Sequence, residues 1–164
     1  MKEDKEHIDF FDTSALVKRY HQEVGSDVVD AAFAEEDTSR FISDIGVIEF
    51  SSAFAKKVRT GEITEEDFRQ TLRELAEDIQ SGRIQLVLFG DSEKKEAAAL
   101  IERYGVSKNL RTLDAMQLAV MRKLGAQVIR HIYCADRSFA AVIREEGFSV
   151  INPDGSSESQ TKEP

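Results

Sequence analysis

The 164-residue chain is long enough for one domain with one sizeable core, and its 41% hydrophobic content excludes a disordered, charge-dominated polymer. A formal net charge of −9 excludes a protein that coats nucleic acid through a global basic field, though not one that holds it locally. No apolar run approaches the roughly 20 residues of a membrane helix, no apolar signal segment follows the charged start MKEDKEH, and a single cysteine, Cys134, excludes an internal disulfide and makes a reducing, cytoplasmic setting the expectation.

In chain order, His7–Phe11 (HIDFF) reads as a first strand. Asp12-Thr13-Ser14 then starts a helix through Tyr20. Gly25-Ser26 punctuates, and a short helix follows to Phe33. Arg40–Ser43 is a weak strand, followed by a helical pattern over Ile45–Arg59 in which Ile45, Ile48, Phe50, Ala53 and Phe54 recur as the apolar set. Thr64-Glu65-Glu66-Asp67 places acids in a first helical turn, where the dipole favours them. Phe68, Leu72, Leu75 and Ile79 carry that amphipathic helix to Gln80. It is an expected core-facing element, with a partner or dimer surface as the alternative. Ile84–Phe89 is a strand, Ser92–Tyr104 and Thr112–Leu124 are helices closed by glycine, and Val128–Cys134 is a strand. Ser138–Glu146 is a helix and Phe148–Ile151 a last short strand. Strands alternating with helices predict a parallel sheet covered by helices. The expected single domain is 1–153, and the polar segment 154–164 is an expected disordered tail.

Ligands of open parallel sheets bind beyond the carboxyl ends of the strands. Asp12 directly follows the first strand, and Asp136 lies two residues past the strand ending at Cys134. Glu49 and Asp114 interrupt apolar helical patterns, where a carboxylate carries a desolvation cost unless a cation or donor compensates it. Four such groups in one cleft would call for a hard divalent cation. An all-oxygen donor set suits magnesium or manganese, and no His/Cys spacing suits zinc. Each acid also has a plain alternative. Asp12 and Asp136 can cap helices, Asp114 can complement a dipole, and Glu49 can face solvent.

The residues around these acids resemble the motifs of the PIN-domain nucleases. Asp12–Tyr20 (DTSALVKRY) resembles the opening motif. Ser43–Phe54 (SDIGVIEFSSAF) resembles the second and Leu110–Ala119 (LRTLDAMQLA) the third. Tyr133–Phe139 (YCADRSF) resembles the fourth, and Gly147–Pro153 (GFSVINP) the usual ending. Their order and extent are similar to the VapC type, the toxin half of bacterial toxin–antitoxin pairs. The resemblance implies a three-layer α/β/α fold with a parallel sheet of about five strands in the order 3-2-1-4-5. It also implies that Asp12, Glu49, Asp114 and Asp136 hold one or two Mg2+ or Mn2+ ions and that Ser14 orients the first acid. A homodimer and a small antitoxin partner are implied as well. Cys134 departs from the Thr or Ser usual two residues before the fourth acid. A thiol is the poorer hydrogen-bond donor, which makes the geometry of Asp136 the point to check.

The expected chemistry is hydrolysis of an RNA phosphodiester, with the cation polarising phosphoryl oxygens and activating water. Lys18, Arg19 and Arg111 lie near the motifs as candidates for phosphate contacts, with solvated surface charge the equal alternative. His7, His21 and His131 show no mutual spacing and are read as structural or surface residues. A haloacid-dehalogenase-type phosphatase would want a second Asp where Ser14 stands. A phosphoacceptor receiver would want an acidic pair before Asp12 and a late Lys after a strand. A stand-alone RNA-processing nuclease, or a non-catalytic binding member of the same family, stays open.

Overall fold

The computed structural model describes residues 7–155. Five strands carry the fold: β1 His7–Phe11, β2 Thr38–Ser43, β3 Gln85–Val87, β4 Ile129–Tyr133 and β5 Val150–Ile151. All four pairings are parallel, and the order is β3-β2-β1-β4-β5, so β1 and β4 are neighbours at the centre. Parallel neighbours need crossovers, and helices supply them. The helices are α1 Thr13–Tyr20, α2 Ser26–Ala34, α3 Asp44–Arg59, α4 Glu65–Gln80, α5 Asp91–Tyr104, α6 Thr112–Leu124 and α7 Arg137–Glu145.

Side chains of a strand alternate between faces, and the central strands use this to feed two cores. Phe10 and Ile132 enter one, with Leu118, Met121, Phe139 and Ile143 from α6 and α7. Phe11 and Tyr133 enter the other, stacked at 4.6 Å between ring centroids, with Leu16, Phe50, Phe54 and Leu75 from α1, α3 and α4. The result is three layers, helices on each side of one sheet.

The local starts follow ordinary helix chemistry. Thr64 and Asp67 form a capping box at α4. Thr71 and Leu75 of that helix are buried while Phe68, Leu72 and Ile79 pack onto the second core, so its apolar stripe is core-facing. Gly25 sits at φ +88°, and a Cβ there would meet the Pro153 carbonyl at 2.8 Å. Only glycine permits this meeting of the α1–α2 turn with the segment that follows β5.

Two expectations change. The third strand is shorter than Ile84–Phe89, because the Phe89 N–H turns away to donate to the Asp44 carboxylate at 2.9 Å. Ile48, expected at an apolar core position, is 71% exposed, because α3 commits Phe50 and Phe54 to the core and leaves Ile48 outside. Of the polar end, Asp154 and Gly155 are described, and Asp154 pairs with Lys18 at 2.9 Å. Residues 156–164 of the expected tail lie outside the described residues. Among the described residues, no helix is long and apolar enough to cross a membrane.

The β1–β4 ladder contains one irregularity. Ile8 pairs with Ile129, but Asp9 pairs with His131, so Arg130 is an extra residue in β4. Its guanidinium turns to Asp9, which is fully buried, with contacts of 3.0 and 2.6 Å.

Candidate active site

The C-terminal ends of β1 and β4 lie side by side, with Phe11 opposite Tyr133 and the Asp12 N–H donating to the Tyr133 carbonyl at 2.9 Å. The next residues out of each strand therefore open into the same crevice. Its volume is about 770 Å3, and its lining includes Asp12, Glu49, Asp114 and Asp136. The four acids come from four places: the N-caps of α1 and α7, the middle of α3 and the first turn of α6.

Capping and crevice lining coexist at two of them. The Asp12 carboxylate accepts from the Ser14 N–H at 3.1 Å and from the Ser14 hydroxyl at 2.5 Å. That hydroxyl in turn accepts from the Ala135 N–H at 2.9 Å, so Ser14 ties the β4 exit to the first acid. Asp136 accepts from the Phe139 N–H at 3.0 Å and the Ser138 hydroxyl at 2.9 Å. Asp114 and Asp136 share Arg111, at 3.2 and 3.1 Å.

Glu49 is held by a residue that the sequence did not single out. Gln117, 1% exposed, donates to Glu49 at 2.7 Å. Its carbonyl accepts from the Ser43 hydroxyl at 2.8 Å. Ser43 caps α3 by accepting from the Gly46 N–H at 3.0 Å, which leaves its own proton for Gln117. The amide is thereby oriented with its NH2 toward the carboxylate.

Charge in the crevice is strained. Burial pushes the Asp12 carboxyl above its ordinary value, against the Ser14 hydrogen bonds, and the Asp136 charge adds to the push. Burial likewise raises Glu49 against the Gln117 hydrogen bond, with Asp12 and Asp114 adding. Burial pushes Asp114 up to about 6, with Arg111 opposing and Asp12 and Asp136 adding. Asp136 is the exception. Burial pushes it upward, but the Phe139 and Ser138 hydrogen bonds and the Arg111 charge hold it below the usual range.

Among the described residues, no three His, Cys, Asp or Glu side chains are already gathered as a metal cage. Each acid is committed to a protein donor instead: Ser14, Gln117, Arg111, or Arg111 with Ser138. The chemistry of the donor set still fits a hard divalent cation, since it offers carboxylate oxygens alone and repels itself without a counter-charge. Thr13 also lines the crevice, and its buried hydroxyl has no hydrogen-bond partner.

Cys134 is buried, with its sulfur 3.7 Å from the Asp12 carboxylate, 3.8 Å from the Ser14 hydroxyl and 3.5 Å from the Asp136 backbone carbonyl. Burial pushes its thiol pKa up. It sits under Asp12 and does not touch the Asp136 carboxylate, whose geometry rests on Ser138, Phe139 and Arg111.

Of the basic candidates, only Arg111 reaches the crevice. Lys18 is 7% exposed and bound to Glu23, Asp154 and the Val24 carbonyl. Its position in α1 turns it toward the segment that follows β5 instead. Arg19 pairs with Asp30 at 2.9 Å and lines a separate polar hollow with Tyr20 and Asp78. None of the three histidines lines the crevice; His131 meets the Ser149 hydroxyl at 3.1 Å. Lys56 and Arg59 line the crevice and were not anticipated. Their signal is present in the sequence, as the positions seven and ten residues after Glu49 on one helix.

A sequence model of the PIN domain matches residues 10–145. Among curated proteins, none matches the sequence at a significant level. Among solved structures, the chain is similar to VapC20 of Mycobacterium tuberculosis, described as a sarcin-ricin loop cleaving toxin. The TM-score is 0.66 at 19% identity, covering 88% of this chain and 99% of that one. It is similar to VapBC2 of Rickettsia felis bound to a promoter DNA fragment, with TM-score 0.59, 14% identity and coverage of 88% and 98%. It is also similar to a Pyrobaculum aerophilum protein, with TM-score 0.58, 15% identity and coverage of 88% and 83%.

Proposed function

The chain belongs to the PIN-domain family, and from that premise we propose that it is an endoribonuclease dependent on Mg2+ or Mn2+, acting as the toxin of a toxin–antitoxin pair. The observation that carries the nuclease reading is the convergence of Asp12, Glu49, Asp114 and Asp136 in one open crevice at the strand ends. These acids would hold the cation. When bound, it supplies charge neutralisation at the phosphoryl oxygens and a water of lowered pKa.

The chain's own residues do the positioning. Ser14 fixes the first acid against the β4 exit, and Gln117 fixes Glu49. Arg111 is 66% exposed at its side chain and bridges Asp114 and Asp136. With a cation held by those carboxylates, Arg111 would be free to turn toward substrate, where a guanidinium fork suits a phosphate. The toxin assignment is supported by the likeness to VapC20 and to the Rickettsia felis pair. A small antitoxin partner, a homodimer and a cytoplasmic location belong to the same proposal.

The test is cleavage of single-stranded RNA by purified protein with Mg2+, Mn2+ or EDTA, comparing wild type with Asp12→Asn and Asp114→Asn. Loss of about 100-fold or more in both variants, and in EDTA, is expected. Equal cleavage by wild type and Asp12→Asn would sink the four-acid site.

A further inference from the structure

The protein is strongly acidic, and most of its basic side chains are spent on its own acids. Lys57 pairs with Glu23 and Glu62, Arg69 with Glu65, Arg73 with Glu66, and Arg122 with Glu96 and Glu146. Among the described residues, the basic side chains with no ion pair or hydrogen bond are Lys56, Arg59, Lys95, Arg137 and Arg144. Two of these, Lys56 and Arg59, line the crevice that holds the four acids.

Their placement is a consequence of helix geometry. Glu49, Ser52, Lys56 and Arg59 follow one another at spacings of three and four residues, so they lie along one face of α3. All four line the crevice. At 1.5 Å per residue, Lys56 is about 10 Å and Arg59 about 15 Å along the axis from Glu49. Cations in the last turn of a helix also complement its dipole. That explains basic residues near Arg59 in general, Lys57 included. It does not explain why the pair facing the crevice is the pair left without carboxylates.

We propose that this face of α3, Ser52 with Lys56 and Arg59, is the track for the phosphate backbone of single-stranded RNA leading away from the catalytic acids. The inference rests on the nuclease reading and extends it to substrate direction and minimum length. A polyanion is the ligand that fits. The crevice acids repel it away from a bound cation, and the two unpaired cations of the crevice, Lys56 and Arg59, lie on a line from that point. With phosphates spaced from about 3.4 Å per nucleotide in a stacked strand, Lys56 meets a phosphate at most about three nucleotides from the cut. Arg59 meets one about a nucleotide further on. Exposed Ile48 and Leu113, at 71% and 47%, give the start of the track an apolar wall for a base.

The test compares wild type, Lys56→Ala/Arg59→Ala and the charge-matched control Lys95→Ala/Arg144→Ala. The probes are a fluorescein-labelled 12-nucleotide single-stranded RNA and a dinucleotide too short to reach Lys56. The crevice double variant is expected to raise KM for the 12-mer about tenfold with kcat within twofold. Its salt slope should fall by about 1.4, at about 0.7 for each phosphate left without its cation. Dinucleotide cleavage, Mn2+ binding by calorimetry and circular dichroism should match wild type, as should the control variant throughout. An unchanged KM and salt slope for the 12-mer overturns the track. Loss of binding to an acidic dodecapeptide with RNA kinetics intact also overturns it, and reassigns the face to a protein partner. If wild type cleaves neither RNA, the nuclease reading fails instead. Fluorescence anisotropy on the 12-mer then decides the track alone.

Discussion

Replacing Gln117 by Leu isolates the contribution of an orienting partner from that of a ligand. Leu nearly matches the volume of Gln, so the 1% exposed site stays filled and little cavity cost arises. Two polar interactions disappear. The bond to Glu49, at 2.7 Å, is made to a charged acceptor and contributes about 1.5–3 kcal/mol. Glu49 is half-buried and regains water when released, which favours the lower end of that range. The second loss is the Ser43 hydroxyl's acceptor, at 2.8 Å in a fully buried site, costing about 1 kcal/mol or more. Urea denaturation should therefore show a loss of about 2–4 kcal/mol. If Gln117 also orients Glu49 for the cation, Mn2+ affinity measured by calorimetry should fall about 10- to 100-fold, the usual cost of losing an outer partner of a metal ligand. Gln117→Glu, which sets a second carboxylate against Glu49, should lower stability more than Leu does in the absence of metal. A Gln117→Leu protein that loses stability but binds Mn2+ within twofold of wild type would refute the orienting role and leave Gln117 as core filling.

Three further outcomes follow from the same geometry. Asp114 is raised to about 6 by burial. A carboxyl raised in the folded state gives stability that is complete below its unfolded pKa and lost as pH rises through about 6. Glu49 and Asp12 are raised in the same direction. The metal-free protein should therefore lose up to about 3 kcal/mol from Asp114 alone between about pH 4 and 7.5. Saturating Mn2+ should flatten that slope; a thermal melt rising with pH without metal would contradict the assignment. Arg130→Ala strands the fully buried Asp9 and should cost about 3–5 kcal/mol. Adding Asp9→Ala should recover part of that loss in urea titrations, whereas strict additivity would show that the pair is not coupled. Cys134→Ser places a stronger donor beneath Asp12 and should strengthen Mn2+ binding severalfold without moving the melting temperature by more than a few degrees. Weaker binding in calorimetry would mean that the larger sulfur is what sets the position of Asp12.

The strands, the helices and the place of Asp12 and Asp136 were legible because local chemistry and period both pointed one way. HIDFF is short and rich in apolar and aromatic residues, and each of these acids stands where a chain leaves a strand and a helix needs a cap. Glu49 was not legible from its neighbours, because Val47-Ile48-Glu49-Phe50 allows two faces. The choice was made by Phe50 and Phe54, which bind the second core together with residues far away in sequence. Gln117 was invisible for a related reason. Its partners, Ser43 and Glu49, lie 74 and 68 residues away, and nothing in DAMQLAVM announces them. Lys18 and Arg19 illustrate the reverse error. Nearness in sequence to Asp12 suggested a shared cleft, but a helix turns successive side chains outward by about 100° each, and α1 sends these two elsewhere.

The extra residue in β4 sets the phase between β1 and β4, the two strands whose ends carry Asp12 and Asp136. Arg130 is paired across to Asp9 by its side chain while its backbone stands outside the ladder. Everything after it in β4 is therefore displaced by one step relative to β1. Remove that step with the sequence unchanged and the exit of β4 advances by about 3.3 Å while every later side chain of the strand changes face. Tyr133 would then take the place of Cys134 beside Asp12, and Asp136 would be carried one residue further out. The salt bridge at the far, amino-terminal end of the strands thus acts as a spacer. It fixes at one edge of the domain how far apart two carboxylates stand at the other.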